Sequence, residues 1–257
     1  MISFERIYRE FPEAYEAMVS QEDYQGNILR TIQSIRPLEG LAVVELGAGT
    51  GRLTRLAAPL VRSILACDRS APMLRVARQR LRREAAPVWG LALAENRRLP
   101  VRDAGADLAL AGWSLGHAIE WSPQGWRELI EGALQEMRRA VGAGGTLLIL
   151  ETLGTGEQTP RPPTEGLARY YGLLEQTHGF QRRWARTDYA FDSPQQAADR
   201  LRFFFGDELA GRVLDEQLTI VPECTGFWYR QGRPGARRPR LALSTAQEGS
   251  GGVSHRL

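Results

Sequence analysis

A chain of 257 residues is long enough for one α/β domain with decorations, and a single core of that size lies near the upper end of what one domain holds. All 33 basic residues are arginines, so a lysine Schiff base and a P-loop lysine are both excluded. The net charge of +3 and pI near 9.1 do not argue for nucleic acid: Arg233, Arg237, Arg238, Arg240 and Arg256 follow Gln231 against one acid, Glu248, and the rest is slightly acidic. Cys67 and Cys224 lie in apolar runs, and no stretch reads as a signal peptide or a membrane span. The expectation is a cytoplasmic protein with reduced thiols. His117, His178 and His255 are far apart and lack ligand-spaced partners, so no metal is expected.

Apolar residues recur near the helical period from Phe4 to Met18 and again at Ile28, Leu29, Ile32 and Ile35, with the polar break Ser20-Gln21-Glu22-Asp23 between. Two helices are predicted before the first strand. Val43-Val44-Glu45-Leu46 then runs into Gly47-Ala48-Gly49-Thr50-Gly51, followed by an amphipathic segment from Leu53 to Leu60. This is a strand, a tight glycine turn and a helix start, with glycines where backbone must approach a ligand. A dinucleotide fingerprint would place its third glycine at Arg52, so the spacing disfavours an NAD-binding oxidoreductase.

Ser63 to Asp68 reads as a second strand ending in an acid, and Ala71 to Leu81 as a helix with Pro72 in its first turn. A carboxylate about twenty residues past the glycines, at a strand end, suits two vicinal ribose hydroxyls, which nominates Asp68. Val88 to Ala94 is predicted as a third buried strand, Ala106 to Trp113 as a fourth, Trp121 to Val141 as one long helix, and Thr146 to Leu150 as a fifth strand ending at Glu151. A Gly/Pro/Thr-rich loop from Gly154 to Pro163 follows. Then come a helix from Leu167 to Gln176, a strand from Phe180 to Ala190, a helix from Pro194 to Phe205 and a last strand from Leu218 to Tyr229. From Gly232 on, composition predicts a flexible tail whose removal would leave stability and cofactor affinity unchanged.

Glu45-x-Gly47-x-Gly49-x-Gly51 resembles motif I, E/D-x-G-x-G-x-G, of the class I S-adenosylmethionine-dependent methyltransferases. Ala71-Pro72-Met73-Leu74, Glu95-Asn96 before Leu99-Pro100, Asp107-Leu108 and Gly142-Ala143-Gly144-Gly145 resemble later motifs of that family, with Glu95 in place of the usual aspartate and Ala106 in place of an aromatic. The segment around Tyr8 to Tyr15 is similar to the N-terminal cap of its small-molecule members. The nearest likeness is to the ubiquinone/menaquinone-methyltransferase-like group.

The resemblance implies a Rossmann-like α/β fold: a seven-stranded sheet with helices on both faces, closed by a reversed hairpin. It divides the chain into a helical cap (1–36), a methyltransferase domain (37–230) and the tail (231–257). It implies that S-adenosyl-L-methionine is held by Glu45, Gly47, Ala48, Gly49, Gly51, Asp68, Arg69, Met73, Glu95, Asn96 and Trp113, with Met73 along the adenine, Glu95 accepting from its amino group and the Asn96 N–H on a ring nitrogen. His117 is either a general base or a residue that shapes the loop after strand four. The function expected is methyl transfer to a small organic acceptor. A degenerate cofactor-binding protein stays open. A nucleic-acid methyltransferase is disfavoured because Gly112-Trp113-Ser114-Leu115 stands where an N-P-P-Y/F tetrapeptide would be.

Overall fold

The computed structural model describes residues 3–84 and 86–232; the tail expected from Gly232 on lies almost wholly outside them. Three helices come first: α1 (Phe4–Glu10), α2 (Pro12–Val19) and α3 (Asn27–Ile35). The expected single helix from Phe4 to Met18 is broken because Pro12 starts a new helix and drives Phe11 out of the helical region, to φ −133°, ψ 42°. Asp23, at φ 63°, turns the chain into α3 and accepts from the N–H groups of Asn27 (2.7 Å) and Ile28 (3.0 Å).

The alternation that follows is β1 (Ala42–Leu46), α4 (Arg52–Ala57), β2 (Ser63–Asp68), α5 (Ala71–Glu84), β3 (Trp89–Leu93), β4 (Leu108–Gly112), α6 (Ala118–Trp121), α7 (Trp126–Val141) and β5 (Thr146–Thr155). Then come α8 (Glu165–Gly172), a π-helical turn (Leu173–Thr177), β6 (Gln181–Arg186), β7 (Tyr189–Ala190), α9 (Pro194–Phe205), α10 (Asp207–Asp215), β8 (Ile220–Val221) and β9 (Glu223–Gln231). Seven strands form one sheet in the order β3-β2-β1-β4-β5-β9-β6, with β1 to β5 parallel and β9 antiparallel to both β5 and β6. The reversed hairpin is therefore present, and the strand order reverses between β1 and β4. In open α/β sheets the carboxyl ends of strands at such a switch form a crevice.

Both faces of this sheet are covered. Ile28, Ile32 and Ile35 of α3 and Leu53 and Ala57 of α4 pack on one side, and Ile130, Leu134 and Met137 of α7 with Tyr170, Tyr171 and Trp228 on the other. A third cluster joins Met18 and Val19 of α2 to Ala197 and Leu201 of α9, Val213 of α10, Tyr189 and Val221. The N-terminal helices thus share their packing with a segment some 170 residues away in sequence, and the small β7–β8 sheet belongs to that layer.

Several sequence expectations are corrected. β3 is a half-exposed edge strand rather than a buried one, with Leu93 65% exposed. The long helix from Trp121 is two, because Pro123 holds Ser122 at φ −143°, ψ 71° between α6 and α7. β5 runs on past Glu151 to Thr155, into the predicted loop. The strand from Phe180 to Ala190 divides into β6 and β7, and the last strand divides at Pro222 into β8 and β9, since a residue without N–H interrupts a ladder. Helix α10 was not foreseen; Gly206, at φ 88°, ends α9 and lets the chain restart at once.

Candidate active site

The glycine turn sits where β1 and β4 diverge. Gly47, Gly49 and Gly51 have φ values of +63°, +56° and +84°, a region that only glycine enters without strain. A Cβ at Gly47 would collide with Ser114, which follows β4 and donates from Oγ to the Leu46 carbonyl at 3.3 Å. Ser114 thus packs directly on the Gly47 backbone at the wall of the cavity.

Asp68, at the end of β2 and 7% exposed, accepts from the Gly49 N–H (2.8 Å) on one oxygen and from the Ser70 N–H (2.7 Å) on the other. Each oxygen keeps a second acceptor lobe. Burial pushes its pKa up, while the two N–H donors oppose that. Glu45 is buried under the turn and accepts from Thr54 Oγ1; desolvation raises its pKa to about 8, so its carboxyl is neutral at neutral pH. Thr50 Oγ1 is buried in the same turn without a hydrogen-bond partner.

These groups line a cavity of about 360 Å³. Of the residues nominated from sequence, Glu45, Gly47, Ala48, Gly49, Asp68, Arg69, Met73, Asn96, Trp113 and His117 line it. Gly51 and Glu95 do not. Gly51 instead lets α4 pack on α5, where a Cβ would lie 3.3 Å from Ala77 Cβ. Glu95 is exposed beyond β3, although its charge adds to the upward pressure on the Asp68 pKa.

A second cavity of about 650 Å³ adjoins the first. Tyr8, Tyr15, Val19, Arg52, Trp113 and His117 line both, and so form the passage between them. Arg52 is held there by an ion pair to Glu22 at 2.7 Å and lies 4.4 Å over the Trp113 ring. Trp113 itself has φ +48°, an unusual conformation for a bulky residue, which turns the chain out of β4 across the mouth of the glycine turn.

His117 is tied down on every side. Its Nε2 lies 2.8 Å from Tyr8 Oη, its ring stacks on Trp121 at 4.9 Å, and Phe4 packs 5.2 Å away. A hydrogen bond to the Trp113 backbone occupies the other side, which makes Nε2 the acceptor of the Tyr8 hydroxyl. Desolvation lowers the His117 pKa to about 4 and outweighs that backbone bond, so the ring is neutral at pH 7; burial also raises the Tyr8 pKa.

The larger cavity is walled by aromatics from α1 and α9, among them Phe4, Phe204 and Phe205, and by six glutamates: Glu22, Glu120, Glu151, Glu157, Glu208 and Glu223. Glu151 accepts from the Gly116 N–H at 2.9 Å and burial raises its pKa to about 8. Tyr8, Thr50, Arg52, Glu151 and Glu223 were not nominated from sequence. Only Glu151 carried a local signal, a carboxylate directly after a run of aliphatic strand residues. Among the described residues no group of three His, Cys, Asp or Glu converges as a metal site.

Residues 44–149 match the family model described as a methyltransferase domain. The structure is similar to YcgJ from Bacillus subtilis, at 12% identity and a TM-score of 0.56, covering 82% of this chain and 100% of that one. It is also similar to a phosphoethanolamine N-methyltransferase from Haemonchus contortus, solved with phosphomonomethylethanolamine and S-adenosylhomocysteine, at 15% identity and a TM-score of 0.54, covering 90% and 60%. A third similar structure is the [4+2]-cyclase SpnF, at 18% identity and a TM-score of 0.50, covering 80% of each chain. No curated protein matches the sequence significantly. The fold is that of the class I methyltransferases, and residues 44–149 match a methyltransferase-domain model.

Proposed function

We propose that the protein transfers a methyl group from S-adenosyl-L-methionine to a small organic acceptor, with the cofactor in the smaller cavity and the acceptor in the larger. The observation that carries this reading is the shared wall: the cradle side and the acidic, aromatic side meet at Tyr8, Arg52, Trp113 and His117. The likeness to a cyclase means that the fold by itself does not decide the reaction. The methyltransferase-domain match and the glycine cradle favour methyl transfer.

The residues fit the cofactor. Gly47 and Gly49 present backbone to the cavity, Asp68 retains acceptor capacity for the ribose, Met73 and Asn96 line the same cavity and suit the base, and Thr50 Oγ1 lacks a partner that a polar ligand could supply. S-adenosylmethionine supplies an electrophilic sulfonium methyl group. The chain's own part is then to hold an acceptor in line and keep water out, tasks that suit the aromatic passage. His117 is a neutral, oriented acceptor already engaged by Tyr8, an arrangement that favours positioning over proton removal. The acidic wall of the larger cavity disfavours a polyanion, which favours a small molecule over nucleic acid.

The test is incubation of the purified full chain with cell extract and S-adenosylmethionine carrying an isotopically labelled methyl group. A small molecule that gains the labelled methyl, by accurate mass, supports the reading. Label found only in nucleic acid or protein, or in nothing, contradicts it.

A further inference from the structure

The larger cavity is lined by more acids than bases. Six glutamates face two arginines: Glu22 pairs with Arg52 Nη1 at 2.7 Å, leaving Arg52 Nη2 buried without a partner, and Arg212 donates through Nη2 to the Gly156 carbonyl at 2.5 Å. Glu157 pairs with Arg161 at 2.6 Å, and burial holds Glu151 and Glu223 protonated near neutral pH. Glu223, at the start of β9, is 2% exposed. Its Oε1 accepts from Thr152 Oγ1 at 2.8 Å, whereas Oε2 is buried without any hydrogen-bond partner. A buried carboxyl oxygen without a partner is costly, and burial keeps the group protonated until a cation is brought to it.

The surroundings decide which. The glutamates do not converge as a metal site, and the rest of the wall is apolar and aromatic, with Phe4, Tyr189, Phe204 and Phe205 around the acidic side. Such a wall suits an organic body, and aromatic faces favour a neighbouring positive charge. We propose that the larger cavity takes an acceptor bearing a protonated amine on an apolar or aromatic body, with the ammonium group seated on Glu223 Oε2. This rests on the reading of that cavity as the acceptor site. It turns the acceptor away from quinone precursors and from phosphate-bearing molecules. Desolvation and the nearby charge of Glu22 both push the Glu223 pKa up, and the charge of a bound cation opposes that rise.

The test is calorimetric titration of the full chain with hexylamine, phenethylamine and tryptamine, each beside the alcohol and the carboxylate of the same body. At least one amine should bind ten or more times tighter than its alcohol, and the carboxylates should not bind. Glu223→Gln should reduce that preference to within threefold while leaving S-adenosylhomocysteine affinity unchanged. No amine preference in the wild type, or a preference that survives in the variant, overturns the proposal. Should the variant fail to fold, the wild-type panel decides alone. A separate titration with S-adenosylhomocysteine reports on the cofactor reading, so failure of one does not pass for failure of the other.

Discussion

Asp68 has two duties, one to the protein and one proposed to the cofactor. By accepting from Gly49 and Ser70 it fixes the turn against β2, and its remaining lone pairs face the smaller cavity. Asp68→Ala should therefore weaken S-adenosylmethionine binding by about 2–3 kcal/mol, roughly 30- to 150-fold, as charge-assisted hydrogen bonds are lost. An affinity within threefold of wild type, by calorimetry, would remove the ribose assignment. Gly47→Ala tests the cradle from the other side. A left-handed backbone and a collision with Ser114 should cost about 1–3 kcal/mol of stability, read as a fall in melting temperature, and should abolish cofactor binding.

His117 can be judged by pH. Because its folded pKa is lowered to about 4 from the ordinary 6.5, the ring stays neutral in the folded protein across the range where the unfolded chain takes up a proton. Turnover should therefore show no acidic limb near pH 6.5, and His117→Gln should cost less than tenfold, equally at pH 6 and pH 8. A limb near 6.5 that vanishes in the variant would make His117 a general base. The glycines and Asp68 were legible because backbone conformation and strand-end chemistry leave a mark within a few residues. Tyr8, Arg52 and Glu223 were not, because nothing local distinguishes a tyrosine that meets a histidine 109 positions away from one that only fills space.

At the scale of elements, α1 closes the site through rings contributed by distant helices. Phe204 of α9 packs 4.8 Å from Phe4 and 5.6 Å from Tyr15, so α9 holds the helix that delivers Tyr8. Phe204→Ala should destabilise this contact by about 2 kcal/mol and speed proteolytic cleavage within residues 4–10. An unchanged cleavage rate would show that α1 is held by its contacts with α2 and α5 instead. The parallel βα units were legible because β1, β2 and β4 are short, largely aliphatic runs that end at a glycine or an acid. The layer made by α2, α9, α10 and the β7–β8 sheet was not. Its pairing depends on contacts between Met18 and Leu201 or Val213, and helical periodicity carries no record of which distant face a helix meets.

Over the whole molecule, buried carboxyls set the pH dependence of stability. Glu45 and Glu151 have folded pKa values raised to about 8 from 4.5, and that of Glu223 is raised as well. Between 4.5 and 8 the unfolded chain has ionised these groups while the folded protein still holds their protons, so folding becomes less favourable as pH rises through that window. His117 acts in the opposite sense, but only below 6.5. The melting temperature should accordingly fall from pH 6.5 to 8.5, and Glu151→Gln should flatten the slope; a rising or flat wild-type curve would contradict the burial of these groups as ionisable carboxyls.

The central claim, that the glycine turn and Asp68 form a cofactor cradle selective for an S-adenosyl group, is tested most directly by calorimetric titration of the full chain with S-adenosylhomocysteine and, separately, with NAD. The account predicts one saturable site for S-adenosylhomocysteine, lost in Gly47→Ala, and no saturable binding of NAD. Saturable NAD binding without S-adenosylhomocysteine binding, or an S-adenosylhomocysteine site indifferent to Gly47→Ala, would contradict it.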